Sequence, residues 1–469
     1  MATQTQQKLQ EAPPSEQQGL AGFQKVLTNR NFLLLWLAQL VSQTILNAAN
    51  FGIVVLVQDS THSVMLVSLA IVSFLLPAVP FSALAGVIVD RLDKRKVLWI
   101  SNFLRIVTML LTFVFLVFNH SALLPLFVLI FLTSLIGQFF MPAEGAAIPL
   151  LVGESELMPA LSLFNITITL SQALGFLLLG RLVATIFSPF TLHLGGSNIH
   201  VASIDMLFVI VALFYAVCMV LILLIPKRYF YQDHLHAARV NAEAHFDLSQ
   251  VLHNFWRDLF EGWKIVRADR LLFFGVIQLS LAGIIMQLIG TLAPTFVQSI
   301  LDRPAEDMSI VLAPAAVGLV GASVLLPRFT KRIGKIRMTL SGLIVLGVGF
   351  LCLPLNQWLA QWLDPVHGTH SALLFWPMIG LVFMLGIAMA VMNIPAQTLV
   401  QERAPEEGRA RVLSLQIMLY SIGTIPVLLF AGAFAQFIGL DPLIFLIAAT
   451  MLLVCWWGAR YVHWPANIG

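Results

Sequence analysis

Two oppositely charged side chains lie well inside long apolar runs of the sequence. Arg105 stands nine residues beyond Lys96, about 13 Å along a helix that rises 1.5 Å per residue. Glu144 is the only acidic residue well inside an apolar run, and it lies a turn or two from the end of the run at 123–149. Unpaired charges at such a depth in hydrocarbon cost several kcal/mol. Two hypotheses follow: a structural ion pair between Glu144 and Arg105, or a carboxyl group at Glu144 that takes up and releases a proton.

Amide and hydroxyl side chains recur on single helical faces of other apolar runs. The first run carries four amides at spacings of four, four and three residues, which places them on one face. Such a stripe must face other helices or a water-filled cavity, because lipid offers amides no hydrogen-bond partners. Interhelical contact and cavity lining both stay open, and four long amides favour the cavity. The predicted cavity residues are Gln39, Gln43, Asn47, Asn50, Gln138, Asn165, Thr169, Gln172, Gln278, Gln287, Asn393, Gln397, Gln416 and Tyr420.

Composition indicates that these runs cross a membrane. Of the 469 residues, 59% are hydrophobic and the mean hydropathy is +0.90, which is far more apolar surface than a soluble core can bury. Lys and Arg concentrate in the tails and in alternate loops, with Arg105, Arg181 and Arg303 as exceptions, so both termini are predicted to be cytosolic. The predicted spans lie near 31–57, 63–88, 97–118, 123–149, 157–184, 204–226, 270–299, 308–329, 338–358, 371–396, 411–437 and 441–461.

One long hydrophilic stretch divides these spans six and six. We predict a disordered cytosolic tail at 1–22, an N-terminal six-helix bundle at 23–226, a cytosolic linker at 227–269, a C-terminal six-helix bundle at 270–461 and a cytosolic tail at 462–469. Within the linker, the run from Leu248 to Ile265 has apolar residues on one face and charges elsewhere, which predicts a helix lying at the membrane surface. The residues of that apolar face are Leu252, Trp256, Leu259, Phe260 and Trp263.

A short charged stretch joins the second and third spans. Residues 90–96 pack six charges into seven positions, in a chain with only 10% charged residues. From Gly86 the stretch reads Gly-Val-Ile-Val-Asp-Arg-Leu-Asp-Lys-Arg-Lys, and it resembles the signature loop of the major facilitator superfamily, Gly-x-x-x-Asp-Arg-x-Gly-Arg-Arg. Asp93 stands where the general signature has its second glycine, as an aspartate often does in the macrolide-efflux and enterobactin-exporter branch. The residues that match the motif positions are Gly86, Asp90, Arg91, Asp93, Lys94 and Arg95.

Further segments resemble the same branch. Residues 141–152 are similar to its Pro-Ala-x-x-x-x-x-Pro-x-Leu-Val segment, and residues 393–405 again resemble that branch. Residues 174–180 look like the antiporter motif Gly-Pro-x-x-Gly-Gly, with Phe176 in place of proline and Leu179 in place of a glycine. The resemblance implies an all-α membrane protein with twelve transmembrane helices in two pseudo-symmetric six-helix bundles, the major facilitator fold.

The resemblance also implies roles for the cavity and the charged loop. Substrate is expected between the two halves, and the region of Asp90 and Arg91 is expected to lock a cytosolic gate against the start of span eleven. In the second half Lys331 occupies the place of Asp90, so the loop there is predicted to gate differently.

Secondary transport by alternating access is the function that these features predict. The predicted cavity offers amides, hydroxyls and apolar groups with one acid, which favours a large amphipathic substrate that is neutral or cationic. The first hypothesis is export of a drug-like or siderophore-like compound coupled to proton entry. The alternatives are transport of a lysophospholipid or similar lipid amphiphile, and uncoupled facilitation. A membrane enzyme is disfavoured because every His lies in a loop, a tail or near a span edge.

The expected partners are the small-molecule substrate, protons and membrane lipid, with no nucleic acid and no cofactor. Cys218, Cys352 and Cys455 all fall inside apolar runs, so neither a disulfide nor a metal site is predicted. We expect a multi-pass protein of the cell (inner or plasma) membrane that functions as a monomer and contributes to drug resistance.

Overall fold

The computed structural model describes residues 24–118, 123–175, 190–194, 197–230, 248–304, 307–363, 372–405 and 408–463. The apolar runs become helices because a helix satisfies each backbone N–H and C=O within its own segment, as hydrocarbon requires. The helices are α1 (Arg30–Thr61), α2 (Val64–Leu75), α3 (Ala78–Asp90), α4 (Lys94–Phe118), α5 (Leu123–Leu151), α6 (Glu154–Leu174), α7 (Ser203–Leu223), α8 (Leu248–Ala268), α9 (Arg270–Leu301), α10 (Met308–Ile333), α11 (Lys335–Leu363), α12 (Ala372–Arg403), α13 (Arg409–Ile438) and α14 (Leu440–His463). A short 3-10 helix covers Lys227–Phe230, and the two strands are β1 (Phe190–Leu194) and β2 (Ser197–Val201).

The helix lengths are those of a multi-pass membrane protein. Among the described residues, ten helical stretches are long and apolar enough to cross a membrane, and one of them, Val64–Ser82, covers α2 and the start of α3. The fifth and eighth predicted spans fall on α6 and α10, which carry shorter apolar stretches at Pro159–Ile168 and Met308–Ser323. The count of twelve spans therefore stays a prediction. The predicted tail at 1–22 lies outside the described residues, and α14 continues to His463, inside the tail predicted at 462–469.

The second predicted span, at 63–88, consists of two helices. Helix α2 ends at Leu75 and α3 begins at Ala78, with Leu76 and Pro77 in a turn between them. Proline has no backbone N–H and its ring clashes with the preceding turn, so a helix bends or breaks where it occurs. Pro77 therefore accounts for the interruption of a run that is continuous in hydropathy.

A two-stranded antiparallel sheet lies between α6 and α7. Phe190 pairs with Val201 and Leu194 pairs with Ser197. The sequence between the strands is Gly195-Gly196, and alternating residues around a Gly-Gly pair are typical of a hairpin with a two-residue loop. The all-α prediction missed this hairpin because it followed long apolar runs only.

Two compact units make up the described structure. The first comprises the described parts of Met1–Phe51 and Pro80–Asp247, and the second comprises Gly52–Val79 and the described parts of Leu248–Gly469. Helix α1 therefore begins in the first unit and ends in the second, together with α2. The expected boundary near residue 226 did not anticipate that Gly52–Val79 packs with the second unit.

In the first unit, one buried apolar cluster joins α1, α3, α4, α5, α6 and α7. It includes Phe32 of α1, Leu98 of α4, Phe140 of α5, and Cys218 and Ile222 of α7, each no more than 2% exposed. Close packing of this kind leaves side chains in single arrangements. The cluster thereby fixes the faces of α4 and α5 that carry Arg105 and Glu144.

In the second unit, the backbones of α10 and α12 approach each other at two glycines. A methyl group on Gly386 would lie 1.9 Å from the carbonyl oxygen of Ala315, and one on Gly318 would lie 2.4 Å from the carbonyl oxygen of Phe383. Small residues at helix crossings allow this approach in membrane proteins. The two helices consequently form a tightly packed pair.

The linker helix α8 is longer than predicted and packs differently. Leu259 is 6% exposed and packs against the beginnings of α9 and α13. Trp256 and Phe260 are instead 50% and 63% exposed. The predicted apolar face therefore divides between Leu259, which packs against the protein, and the rings of Trp256 and Phe260, which are exposed. Its position at the membrane surface stays a prediction.

Candidate functional site

Arg105 is buried at the centre of the first unit. Its side chain, 2% exposed, donates from Nη1 to the Ser42 hydroxyl at 3.1 Å. The guanidinium also lies over two aromatic rings, at 4.8 Å from the centroid of Phe140 and 5.4 Å from that of Tyr215. A methyl group on Gly137 would lie 3.0 Å from Nη2, so the absence of a side chain there makes room for the cation. Helices α1, α4, α5 and α7 all contribute to this cluster.

Glu144 lies on the same face of α5 as two of these residues. Gly137, Phe140 and Glu144 follow at spacings of three and four, which places them one above another on a helix. Glu144 is 0% exposed, and neither carboxyl oxygen has a hydrogen-bond partner among the described residues. Arg105 is the charged residue close enough to act electrostatically on this carboxyl group, although the two form no salt bridge. The direct ion pair hypothesised from the sequence is absent from this conformation.

Arg105 and Glu144 differ in the contacts that offset the free-energy cost of burying a charged side chain. Cation–π contacts in a desolvated site stabilise a guanidinium by about 2 kcal/mol or more, and Arg105 has two such rings and a hydroxyl. A buried carboxylate without hydrogen bonds is far more costly than a neutral acid, so an isolated group of this kind takes up a proton. The surroundings therefore offset the burial of the Arg105 cation and give the Glu144 carboxyl group no comparable contact.

Three members of this cluster escaped the sequence analysis. Ser42, Phe140 and Tyr215 were not proposed as site residues, since none is charged and none was counted in a stripe of polar residues. Tyr215 carried a usable signal, because it is the only tyrosine in the apolar run of α7 and a buried Tyr hydroxyl usually needs a partner. The positions of Ser42 and Phe140 have no comparable signal.

The charged loop between α3 and α4 is organised by hydrogen bonds to backbone. The Asp93 carboxylate accepts from the Lys96 backbone N–H at 3.2 Å, so it caps the N-terminus of α4. Lys94 donates from Nζ to the Asp90 carbonyl oxygen at 3.1 Å. Arg95 donates to two carbonyl oxygens at the end of α7, those of Leu223 at 2.8 Å and Ile225 at 3.1 Å.

These contacts explain why aspartate suits the glycine position of the signature. Asp93 is at a helix start, where its side chain satisfies a backbone donor that glycine would leave free. Asp90 is exposed and Arg91 is half-buried. At Gly86, a methyl group would meet no described atom within 4 Å, so no described helix packs closely against this glycine in this conformation. The gating roles of these residues stay predictions.

The amide stripe of α1 faces α5 and α6. Gln39, 1% exposed, donates to the Phe164 carbonyl oxygen at 3.4 Å and acts as an interhelical contact. Gln43 donates to the Met141 sulfur at 3.2 Å, and Asn47 donates to the Gln43 carbonyl oxygen at 2.8 Å. Gln43, Asn47, Asn50 and Gln138 are all half-buried. Gln39 thus makes an interhelical contact, and lining of a cavity stays a prediction for the other three amides of the stripe.

Three other predicted cavity residues lie on α6, but their side chains fall outside the described part of the structure; they are Asn165, Thr169 and Gln172. Gly175, in the segment that resembles the antiporter motif, lies directly against α1. A methyl group there would be 2.5 Å from Cβ of Asn47 and 2.7 Å from the Thr44 carbonyl oxygen. The glycine therefore permits close packing of α6 on α1.

In the second unit, the predicted residues occupy different environments. Tyr420 packs against Gly283 of α9, where a methyl group would lie 2.6 Å from the tyrosine ring. The carbonyl oxygen of Gln416 accepts from Ser280 of α9 at 3.4 Å. Gln278 is 0% exposed, and a methyl group on Gly458 of α14 would lie 3.5 Å from its amide nitrogen. Gln287 and Asn393 are half-buried, and Gln397 is exposed.

A polar clasp joins the end of α1 to α9 in the second unit. Gln58, 2% exposed, donates to Gln298 at 2.7 Å and accepts from the Thr295 hydroxyl at 2.9 Å. Gln298 in turn donates to Asp59 at 2.6 Å. No residue of this clasp was proposed from the sequence, because the predicted amide stripe of α1 ends at Asn50, before Gln58.

The sequence profile of the Major Facilitator Superfamily matches residues 35–425. The matched range includes Arg105, Glu144 and the charged loop after α3. The chain belongs to the major facilitator superfamily. The resemblance stated from the sequence motifs is confirmed, and the protein is a multi-pass membrane transporter of this superfamily.

Two relatives agree with the predicted efflux branch. The uncharacterized MFS-type transporter YfiS of Bacillus subtilis (strain 168) is 26% identical over 387 residues, which cover 82% of this chain and 82% of that protein. Macrolide efflux protein A of Streptococcus pyogenes is 23% identical over 429 residues, which cover 90% of this chain and 93% of that protein.

Solved transporter structures share the fold. The nucleoside transporter NupG superposes with a TM-score of 0.65 at 14% identity, covering 93% of this chain and 100% of that one. The peptide transporter POT in complex with sulfate gives 0.64 at 11% identity, covering 94% and 98%. A bacterial homologue of the iron transporter ferroportin in an inward-facing state gives 0.60 at 16% identity, covering 92% and 99%. At such identities the likeness establishes the fold alone.

Proposed function

We propose that this protein is a secondary active transporter that works by alternating access and exports amphipathic small molecules in exchange for entering protons. The observation that carries the proposal is the state of Glu144, a fully buried carboxyl group without a hydrogen-bond partner among the described residues, beside the buried guanidinium of Arg105. An intramembrane acid is costly to maintain and is therefore a site of function by default.

The proton step follows from the difference between two environments of Glu144. In the buried environment the neutral acid is favoured, because no described group solvates the carboxylate. If alternation exposes the group to water, or brings it into contact with Arg105, the carboxylate is favoured and the proton leaves. Arg105 is suited to this role because Ser42, Phe140 and Tyr215 hold it in place independently of Glu144.

The class of substrate is argued from the polar groups available. Gln43, Asn47, Asn50 and Gln138 are half-buried amides, which offer donors and acceptors without charge. Such groups suit a drug-like or siderophore-like amphiphile that is neutral or cationic. The relationship to Macrolide efflux protein A over 90% of the chain supports export of this kind of compound. A monomer in the plasma membrane with both termini in the cytosol is part of the proposal.

The test is efflux of a panel of macrolides and amphipathic dyes from cells that express the wild-type chain, Glu144→Gln or a matched control. The control is Glu156→Gln, the same chemical change at a carboxylate that pairs with Lys25 at the start of α6. We expect wild type and control to lower intracellular dye only while the proton gradient is intact. Glu144→Gln should lose gradient-driven efflux at equal expression while it still binds the substrate.

Other outcomes would reject parts of the proposal. Gradient-dependent efflux that survives Glu144→Gln would remove the proton role from that residue. Efflux by the wild-type protein that does not depend on the proton gradient would indicate an uncoupled facilitator. Absence of efflux for the whole panel would reject drug export and direct the same assay to a lysophospholipid substrate.

A further inference from the structure

Helix α8 exposes a face that carries both basic and aromatic side chains. His253, Arg257, Lys264 and Arg267 are exposed, as are the aromatic side chains of Trp256 and Phe260. The four cationic or titratable residues and Phe260 follow at spacings of four, three, four and three. Trp256 lies three residues after His253 and four before Phe260, so the six side chains form one continuous strip along the helix. The strip therefore combines two large apolar rings with three permanent positive charges.

The acidic residues of α8 are directed elsewhere. Asp258 and Glu261 both pair with Arg411 of α13, at 3.4 Å to Nε and 2.9 Å to Nη1. Asp269, which follows the helix, caps α9 and lies 3.6 Å from Arg403. Negative charge is thus used for contacts within the second unit. The strip itself carries no acidic residue.

The packed side of α8 fixes its height relative to the membrane helices. Leu259 and Val266 are buried in a cluster with residues at the start of α9 and of α13, helices that are long and apolar enough to cross a membrane. The contact is close, since a methyl group on Gly262 would lie 2.8 Å from the carbonyl oxygen of Arg411. Because it packs on the ends of helices that are long enough to span, we expect α8 to lie at the level where hydrocarbon meets water.

The exposed strip has the chemistry of that boundary. Tryptophan is enriched at membrane interfaces, where its ring lies among the headgroups. Lys and Arg near a membrane surface bind anionic lipids, and each contributes about a fivefold increase in affinity. The rings of Trp256 and Phe260 lie side by side, with centroids 6.4 Å apart, and form one apolar surface.

We propose that the exposed face of α8 binds the phosphate groups of anionic phospholipids in the adjacent leaflet, with Trp256 and Phe260 inserted at the boundary between the headgroups and the acyl chains. The Lys and Arg distribution makes this the cytosolic leaflet. Because Asp258 and Glu261 hold Arg411, a helix anchored in this way also fixes the start of α13 to the lipid surface. The proposal is independent of which compound the protein transports.

The test uses the full-length protein and two charge-matched variants. One variant neutralises the strip (Arg257→Gln, Lys264→Gln and Arg267→Gln). The other removes three exposed cations of the first unit (Lys96→Gln, Lys227→Gln and Arg228→Gln). Short-chain phosphatidylglycerol is titrated into each protein in neutral detergent, and the thermal unfolding midpoint reports binding to the folded state. Phosphatidylcholine, inorganic phosphate and a short single-stranded DNA are titrated in parallel.

We expect phosphatidylglycerol, and none of the other additives, to raise the wild-type midpoint. The strip variant should bind it about 100-fold more weakly, at about fivefold for each charge removed. The first-unit variant should keep wild-type affinity. Equal losses in both variants would overturn the proposal, because they would reflect total charge. A midpoint shift with DNA or inorganic phosphate equal to that with phosphatidylglycerol would also overturn it, in favour of a soluble anion.

Insertion of the rings is tested separately in nanodiscs of phosphatidylglycerol with brominated acyl chains. Bromine quenches nearby indole fluorescence, so the wild-type protein should lose more emission than Trp256→Phe. Equal fractional quenching of the two proteins would contradict insertion of Trp256. The unfolding midpoint of Trp256→Phe without lipid shows that the variant is folded.

Discussion

The close crossing of α10 and α12 makes a sharp prediction about Gly386→Ala. The added methyl group would lie 1.9 Å from the carbonyl oxygen of Ala315, whereas an ordinary contact begins at 3.4 Å. The helices must therefore separate locally by about 1.5 Å. Overpacking of a well-packed core costs about 1–3 kcal/mol, and a clash with backbone cannot be relieved by a new rotamer. We expect a loss of about 3 kcal/mol in the free energy of unfolding.

The assay is thermal unfolding of the purified full-length protein in detergent. For a domain of about 150–250 residues, a loss of about 3 kcal/mol lowers the midpoint by about 6–12 °C. Gly380→Ala on the same helix is the matched control, because a methyl group there meets no described atom within 4 Å. That change should leave the midpoint equal or slightly raised, since alanine favours helix over glycine by about 1 kcal/mol.

Two results would refute this reasoning. Equal midpoints for Gly386→Ala and Gly380→Ala would mean that α10 and α12 do not cross as closely as described. Full rescue of Gly386→Ala by Ala315→Gly would locate the clash in the Ala315 side chain, although the structure assigns it to the backbone oxygen.

Three further predictions concern polar contacts. Gln58→Leu leaves Gln298 without its amide partner, so the unfolding midpoint should fall by the equivalent of about 1–3 kcal/mol, and an unchanged midpoint would contradict the clasp. Asp93→Ala removes the cap of α4 and should cost about 1 kcal/mol in the same assay, whereas Asp93→Asn should retain most of the stability. The hydrogen bond from Lys25 holds the pKa of Glu156 below its ordinary value of 4.5, so this contact stabilises the protein above that pH and the stabilisation is lost as the pH falls. The midpoint difference between wild type and Lys25→Met should therefore shrink as the pH falls below about 4.5, and a difference that grows would have the wrong sign.

Much of the fold could be predicted because hydrocarbon restricts the backbone so strongly. A long apolar run must become a helix, and the charges between runs mark the loops, so the helices and the motif after α3 were placed from sequence. The hairpin at 190–201 was missed because its signal is local alternation around Gly195-Gly196. The break at Pro77 was missed because hydropathy does not register a lost backbone donor.

The candidate site could be predicted only in part. Arg105 and Glu144 were found because charges inside apolar runs are rare. Their contacts could not be read from the sequence, since Tyr215 comes from a helix more than 100 residues away and its approach depends on packing. For α8 the period of the apolar residues was visible, but the period does not show that the protein covers only part of the apolar face. Which side faces the protein was set by the contact between Gly262 and α13.

Proton exchange at Glu144 is measured most directly in proteoliposomes loaded with a pH-sensitive dye. An outward gradient of an exported macrolide should acidify the lumen when the wild-type protein is present, because each departing molecule is exchanged for entering protons. In Glu144→Gln the acidification should be abolished while exchange of labelled for unlabelled macrolide continues. Acidification at the wild-type rate in Glu144→Gln would contradict the assignment of proton coupling to the buried carboxyl group.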